Sequence, residues 1–240
     1  MKHALAILTL ILTLTFVGSS FFSGFTGFTA DQLPIPQIDP PVQPAGYAFA
    51  IWGLIYAFLL AGAVFGLWKR AAAPDWDRAR LPLVISLLIG TPWLAVAGQS
   101  AIAASVMIVL MAVFAIMALA RAPTRDRIWF QVPAALYAGW LTAASFVALA
   151  STSAGYGLLT DSTGWAYIGI VGALAVAVFV LWRVPQAPEY ALTVVWALIG
   201  IIVANGTVNP GISLTATVGA FVLTALAARG AWIKPRSIPA

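Results

Sequence analysis

Site chemistry usually starts from side chains that carry a proton, bind a metal or attack a carbon. This sequence withholds nearly all of them from its apolar stretches. Its 240 residues contain no Cys, one His at position 3, seven Asp and Glu, and twelve Lys and Arg. Disulfides, thiolate catalysis and Cys-ligated metals are excluded, and a His-ligated metal or haem has no ligand within the apolar runs. Hydrolase, protease and metal chemistry lack the titratable groups they need, so the chain reads as a non-enzyme that requires no cofactor. What the runs do carry is aromatic: ten Trp, six Tyr and thirteen Phe. Such rings offer stacking surface, apolar burial and, for Trp and Tyr, one polar hydrogen each.

Spacing and depth separate these rings. Trp68, Trp76, Trp129, Trp182 and Trp232 stand beside basic segments, and Tyr47, Trp165 and Tyr167 fit the opposite end. Both sets match the aromatic belts of a membrane protein. Trp93 and Trp140 each fall about twelve residues from the basic end of their runs, which at 1.5 Å per residue is ~18 Å deep. Trp52 and Tyr56 are four apart, on one helical face. By the same rise Trp196 lies roughly 10 Å inside the basic boundary. A midplane indole N–H needs an acceptor. Packing inside a bundle is one reading of Trp52, Tyr56, Trp93 and Trp140, and an aromatic-walled pocket for a flat apolar ligand is the other. The nearby hydroxyls of Thr142 and Ser145 are expected to bond within their own helix or to a neighbour. Gly62 and Gly66 form a small-xxx-small pair suited to close helix packing.

The elements that would position these rings are transmembrane helices. Hydrophobic residues make up 62% of the chain and charged ones 8%, where a soluble domain carries roughly 25%. The net charge of +5 sits in short segments between apolar runs, where it orients helices and gives no footprint for nucleic acid. Continuously apolar runs exclude an alternating β-barrel pattern. The runs are Ala4–Phe22, Tyr47–Trp68, an uncharged stretch 81–120 that breaks near Gly98-Gln99-Ser100, a stretch 128–182 that breaks at 152–163, and a stretch 190–228 that breaks at 205–210. Asp75, Asp77, Arg78 and Arg80 are read as a loop ahead of Leu81. A Gly- and Pro-rich segment at 23–45 holds Asp31 and Asp39 and no basic residue. Basic flanks at both ends of each double-length run require an even number of crossings. The expectation is therefore an all-α polytopic bundle of about eight transmembrane helices in four hairpins. Every Lys and Arg falls on one side, which the positive-inside rule makes cytoplasmic, with both chain ends there. The expected location is a bacterial cytoplasmic membrane. The first helix is read as retained, since its apolar core exceeds the ~7–15 residues of a signal peptide.

The segment Pro44-Ala45-Gly46-Tyr47-Ala48-Phe49-Ala50-Ile51-Trp52-Gly53-Leu54-Ile55-Tyr56 resembles the start of the second helix in the TspO/MBR family of tryptophan-rich sensory proteins. Thr91-Pro92-Trp93 is similar to a stretch of that family's third helix, and Val132-Pro133 through Trp140 to its fifth. The order is preserved over residues 1–151. The family's usual Trp is Tyr at position 47, its third-helix Asn is replaced around Gly90-Thr91, and an Asn expected late in the fifth helix falls near Ala148. The resemblance implies a five-helix membrane bundle at 1–151 with a three-helix extension at 152–240. It also implies a pocket for a tetrapyrrole or similar ligand, lined by Tyr47, Phe49, Trp52, Tyr56, Trp93, Tyr137 and Trp140.

The expected partners are membrane lipid and a small apolar ligand, with a homodimer left open and no nucleic acid. The leading reading is a membrane receptor or sensor. An uncoupled transporter or facilitator is the alternative, since proton coupling usually needs an intramembrane acid or His.

Overall fold

A computed structural model describes residues 3–21 and 27–232, with side chains up to Gly230. The elements are α1 (Ala4–Ser19), α2 (Ile51–Arg70), α3 (Pro74–Gly90), the short α4 (Trp93–Ala97), α5 (Ala101–Ala120), α6 (Gln131–Gly155), α7 (Ser162–Arg183), α8 (Pro188–Asn205) and α9 (Pro210–Trp232), with 3-10 turns at Ala30–Gln32 and Gly46–Ala50. Among the described residues there is no strand. Six of the helices are long and apolar enough to cross a membrane. The other two long helices are shorter or carry charge: α1 has 16 residues, and the 17 of α3 include four charged ones. The protein is an all-helical polytopic membrane bundle.

The expected breaks are present, each with a local cause. Ser100 caps α5 by accepting from the Ala103 N–H at 3.2 Å. Asp161 caps α7 by accepting from Gly164 at 2.8 Å, which satisfies a first-turn donor that the helix leaves unpaired. The α8–α9 turn places Gly206 at φ 48 and ψ −124, a conformation that penalises any Cβ. Pro210 then starts α9.

The N-terminus of α3 differs from expectation. Asp75, Asp77, Arg78 and Arg80 lie in its first two turns, with Pro74 at the first helical position. Pro there loses no hydrogen bond, and acidic residues favour the positive end of the helix dipole. Earlier onset also moves Trp93. It follows a break at Thr91-Pro92 and sits on α4, with its N–H on the carbonyl of Ala104, one turn into α5. Trp93 therefore lies toward the end opposite the basic segments, not at the midplane.

Consecutive long helices pack as hairpins: α1 on α2, α3 on α5, α6 on α7 and α8 on α9. The most buried span is α6, which touches α2, α5, α7 and α8. At the basic end, ion pairs join Arg70 to Asp126 (2.7 Å), Arg125 to Asp75 (2.9 Å) and Arg127 to Glu189 (2.6 Å). Trp76 does not sit in an interfacial belt. It is 1% exposed and donates to Asp126 at 3.0 Å. Trp68 and Trp182 are exposed, as a belt requires, and the Trp232 side chain lies outside the described residues.

At the other end the segment 27–50 forms a strap over the bundle. Gln32 donates to the Ala97 carbonyl of α4 (2.8 Å), the Ile35 N–H to Gly155 of α6 (2.9 Å), and Asn205 of α8 to the Pro41 carbonyl (2.8 Å).

Candidate functional site

The cavity of note holds about 230 Å³ and lies between α1, α2, α4, α5, α6, α8 and the strap. Its walls are aromatic because several helices present rings at one level. On α2, Trp52 and Tyr56 stack with centroids 5.2 Å apart and planes at 24°, as residues four apart on one helix face should. Trp140 on α6 meets Trp52 edge-on at 6.1 Å and the strap's Phe49 at 5.7 Å. Phe16 on α1 closes the corner, 5.9 Å from Trp52 and 5.8 Å from Tyr56. These edge-on and offset geometries are the favoured ones for aromatic pairs.

Five of the seven residues expected at a pocket line this cavity: Phe49, Trp52, Tyr56, Trp93 and Trp140. The other two do not. Tyr47 is 45% exposed and turns its ring onto Trp196, edge-on at 5.6 Å, because the 3-10 turn at Gly46–Ala50 sends successive side chains to different sides. Tyr137 is fully buried behind the wall, 5.6 Å from Phe16 and 6.5 Å from Trp52. Its hydroxyl shares a hydrogen bond of 3.1 Å with Ser86, which also donates to the Met111 carbonyl at 2.8 Å. Tyr137 therefore supports the wall from the far side. Thr142 and Ser145 bond back to Ala138 and Leu141 (2.8 and 2.7 Å), as expected, and Thr142 also meets the Tyr190 hydroxyl of α8 at 2.9 Å.

Sequence reasoning missed Phe16, Phe28, Met111 and Ala197, all of which line the cavity. Phe16 was within reach. It is twelve residues along α1, the depth expected for Trp140, but a Phe ring has no polar hydrogen to mark it. Ala197 has no chemical signature, and only the packing of α8 brings it there.

The polar inventory is small and uncharged. No Asp, Glu, Lys, Arg or His lines the cavity among the described residues. Its polar side chains are Ser20, Gln43, Ser151, the Tyr56 hydroxyl and the indole N–H groups. Trp93 donates to Ala104 at 2.9 Å. Outside the cavity, Trp76, Trp165 and Trp196 donate to Asp126, Leu158 and Ala48.

Trp52 and Trp140 have no such partner. Neither indole N–H reaches a protein acceptor among the described residues, although Trp140 is only 2% exposed. Among the described residues no fully enclosed side-chain nitrogen or oxygen lacks a partner. The Trp140 N–H is therefore not fully enclosed, and Trp140 lines the cavity. An accessible donor in an otherwise apolar wall offers an entering acceptor one hydrogen bond, worth about 0.5–1.5 kcal/mol net. Among the described residues the wall carries no carboxylate, amine, guanidinium or imidazole, and its polar hydrogens are those of hydroxyls, one amide and indoles.

No curated protein sequence and no solved structure matches this chain. A family model for TSPO-like proteins matches residues 3–229, running past residue 151, where the motif resemblance ended, to the last turn of α9. With nearly its whole length matched, the chain belongs to the TSPO-like protein family.

Proposed function

We propose that this protein is a membrane receptor or sensor that binds a flat, apolar molecule carrying a hydrogen-bond acceptor in the aromatic cavity. The observation that carries the reading is the pair of unpaired indole donors, Trp52 and Trp140, in a wall otherwise built of aromatic and aliphatic surface. Stacking on these rings and apolar burial supply affinity, and the two N–H groups orient the ligand. Pockets for drug-sized ligands hold roughly 300–1,000 Å³. The 230 Å³ present fits two or three fused rings without rearrangement, and a tetrapyrrole requires the strap to move outward. No Lys or Arg of the described residues lies at the strap end. A neutral ligand is therefore favoured over one that needs its carboxylates paired.

The test is calorimetric titration of the protein in detergent, with empty micelles subtracted. Menadione supplies two fused rings with two carbonyl acceptors, and 2-methylnaphthalene supplies a similar shape with none. Saturable menadione binding is expected to weaken about two- to tenfold in Trp140→Phe or Trp52→Phe, the worth of one hydrogen bond, with methylnaphthalene unchanged. Protoporphyrin IX is the tetrapyrrole arm of the same experiment. Micelle-like partitioning of all three, the same in the variants, would reduce these indoles to packing. Among the described residues nothing favours the transport reading, which calls for a continuous path through the bundle.

A further inference from the structure

The strap supplies Pro44 and Phe49 to the cavity wall, and what holds it there is mostly one helix, α8. Three contacts fix its height along that helix. The Ala45 N–H donates to the Gly200 carbonyl (3.0 Å), Trp196 donates to the Ala48 carbonyl (2.8 Å), and Asn205 donates to the Pro41 carbonyl (2.8 Å). At Gly200 the two backbones approach so closely that an added Cβ would stand 2.7 Å from Pro44 Cβ and 2.9 Å from Ala48 Cβ. Real Cβ atoms do not tolerate such separations, so a side chain there must push Pro44 and Ala48 away from α8. Asn205 is itself fixed: it is 3% exposed, donates also to Ile201 at 2.9 Å, and accepts from Asn209 at 3.0 Å. Of the residues on α8, Ala197 alone touches the cavity. Trp196, Gly200 and Asn205 therefore act on it through the strap.

We infer that α8 sets the size of ligand that the cavity admits, with Trp196, Gly200 and Asn205 as positioning residues that seat the strap against it. This rests on the binding reading above and adds a specificity control outside the aromatic wall. On this inference a methyl at Gly200 pushes the strap off α8, drives Pro44 and Phe49 into the cavity they line, and narrows it. Releasing the strap at Asn205 or Trp196 lets it give way to a larger ligand.

The experiment compares menadione and anthraquinone, two neutral quinones that differ by one fused ring, on wild type, Gly200→Ala, Asn205→Ala and Trp196→Phe. The readout is the ratio of the two dissociation constants. Gly200→Ala is expected to shift the ratio about tenfold against anthraquinone, as overpacking by one methyl does in a filled site. Asn205→Ala and Trp196→Phe are expected to shift it the other way. A folding defect lowers the binding-competent fraction for both probes alike and leaves the ratio unmoved. Ratios within twofold of wild type in all three variants, or a Gly200→Ala shift that favours anthraquinone, would overturn the inference while the binding reading stands. If wild type binds neither quinone saturably, that reading fails by itself, and the seat is then read without a ligand. The chain has no Cys, so Ala197→Cys in each background reports access to the cavity by its rate of labelling with a small methanethiosulfonate reagent. Slower labelling with Gly200→Ala and faster labelling with Asn205→Ala support the seat, and equal rates overturn it.

Discussion

At the scale of single residues, the same side-chain type serves opposite purposes according to whether its polar atom is paired. Trp76 and Trp140 are both almost fully buried. Trp76 spends its N–H on Asp126, whereas the Trp140 N–H donates to no protein acceptor among the described residues. That makes Trp76 structural, and its acceptor gives a pH dependence. Asp126 accepts from both the Nε and Nη2 of Arg70, at 2.7 and 3.0 Å, and from Trp76 at 3.0 Å. The Arg70 guanidinium foremost, then Trp76 and the charge of Arg125, holds the Asp126 carboxyl below the usual carboxylate range against the opposing effect of burial. A depressed folded value means that this stability is complete above the unfolded Asp value, about 3.9, and is lost as pH falls through the lower folded one. Asp126→Asn is expected to cost about 1–3 kcal/mol at pH 7, read as a lower midpoint of thermal unfolding in detergent. The gap between wild type and variant should close as pH drops below about 4. A gap of constant size from pH 7 down to 3 would show that the charge contributes nothing.

At the scale of elements, helices and their ends were largely legible and the strap was not. Uncharged runs with basic flanks located each span, and the turns at Gly98–Ser100 and Asn205–Pro210 fall where Gly, Ser, Asn and Pro break the pattern. The start of α3 was misread as a loop because its four charges outweighed the helix-start signal of Pro74, Asp75 and Asp77. The path of the strap rests on contacts such as Asn205 to Pro41, 164 residues apart, which no local pattern encodes. The same limit explains the site. Trp52 and Tyr56 share a helix face that spacing reveals, whereas Tyr47 and Tyr137 fall outside the cavity because of a 3-10 turn and a neighbouring helix. Close approach by small residues was legible as a motif, and the structure gives it partners. A Cβ on Gly66 would stand 2.7 Å from the Trp76 ring and 3.1 Å from Arg80 Nη2, whereas one on Gly53, on the same helix, meets nothing within 4 Å. Trp76 is pinned by Asp126 and Arg80 by the Gly66 carbonyl at 2.7 Å, so neither can retreat. Gly66→Ala is expected to destabilise by about 1–3 kcal/mol. Gly53→Ala should be neutral or stabilise by up to about 1 kcal/mol through helix propensity. Matching midpoints for the two variants would remove the packing explanation.

At the scale of the whole molecule, charge and cavity occupy opposite ends. Every Lys and Arg among the described residues lies at or just beyond a helix end on the side joined by the Arg70–Asp126, Arg125–Asp75 and Arg127–Glu189 pairs. The strap end carries Asp31, Asp39 and Asp161 and no described cation. Orientation follows the count of Lys and Arg in short loops, and acidic neighbours contribute little to it. Ion pairing at the basic end therefore does not weaken the bias. The prediction is that the basic end faces the cytoplasm and the strap end faces out. In a chain without Cys, Asn209→Cys reports the α8–α9 turn, and Arg78→Cys reports the exposed start of α3. A membrane-impermeant maleimide added to intact cells should label position 209 directly and position 78 only after permeabilisation. Under the proposed binding role the outcome also decides the side from which a ligand would arrive, because Ser20 and Gln43 lie at the strap end of the cavity. Labelling of position 78 in intact cells, with 209 protected, would invert the bundle and turn that end toward the cytosol. The ligand would then be an intracellular metabolite, and the absence of cations near the strap would have to be explained without the positive-inside rule.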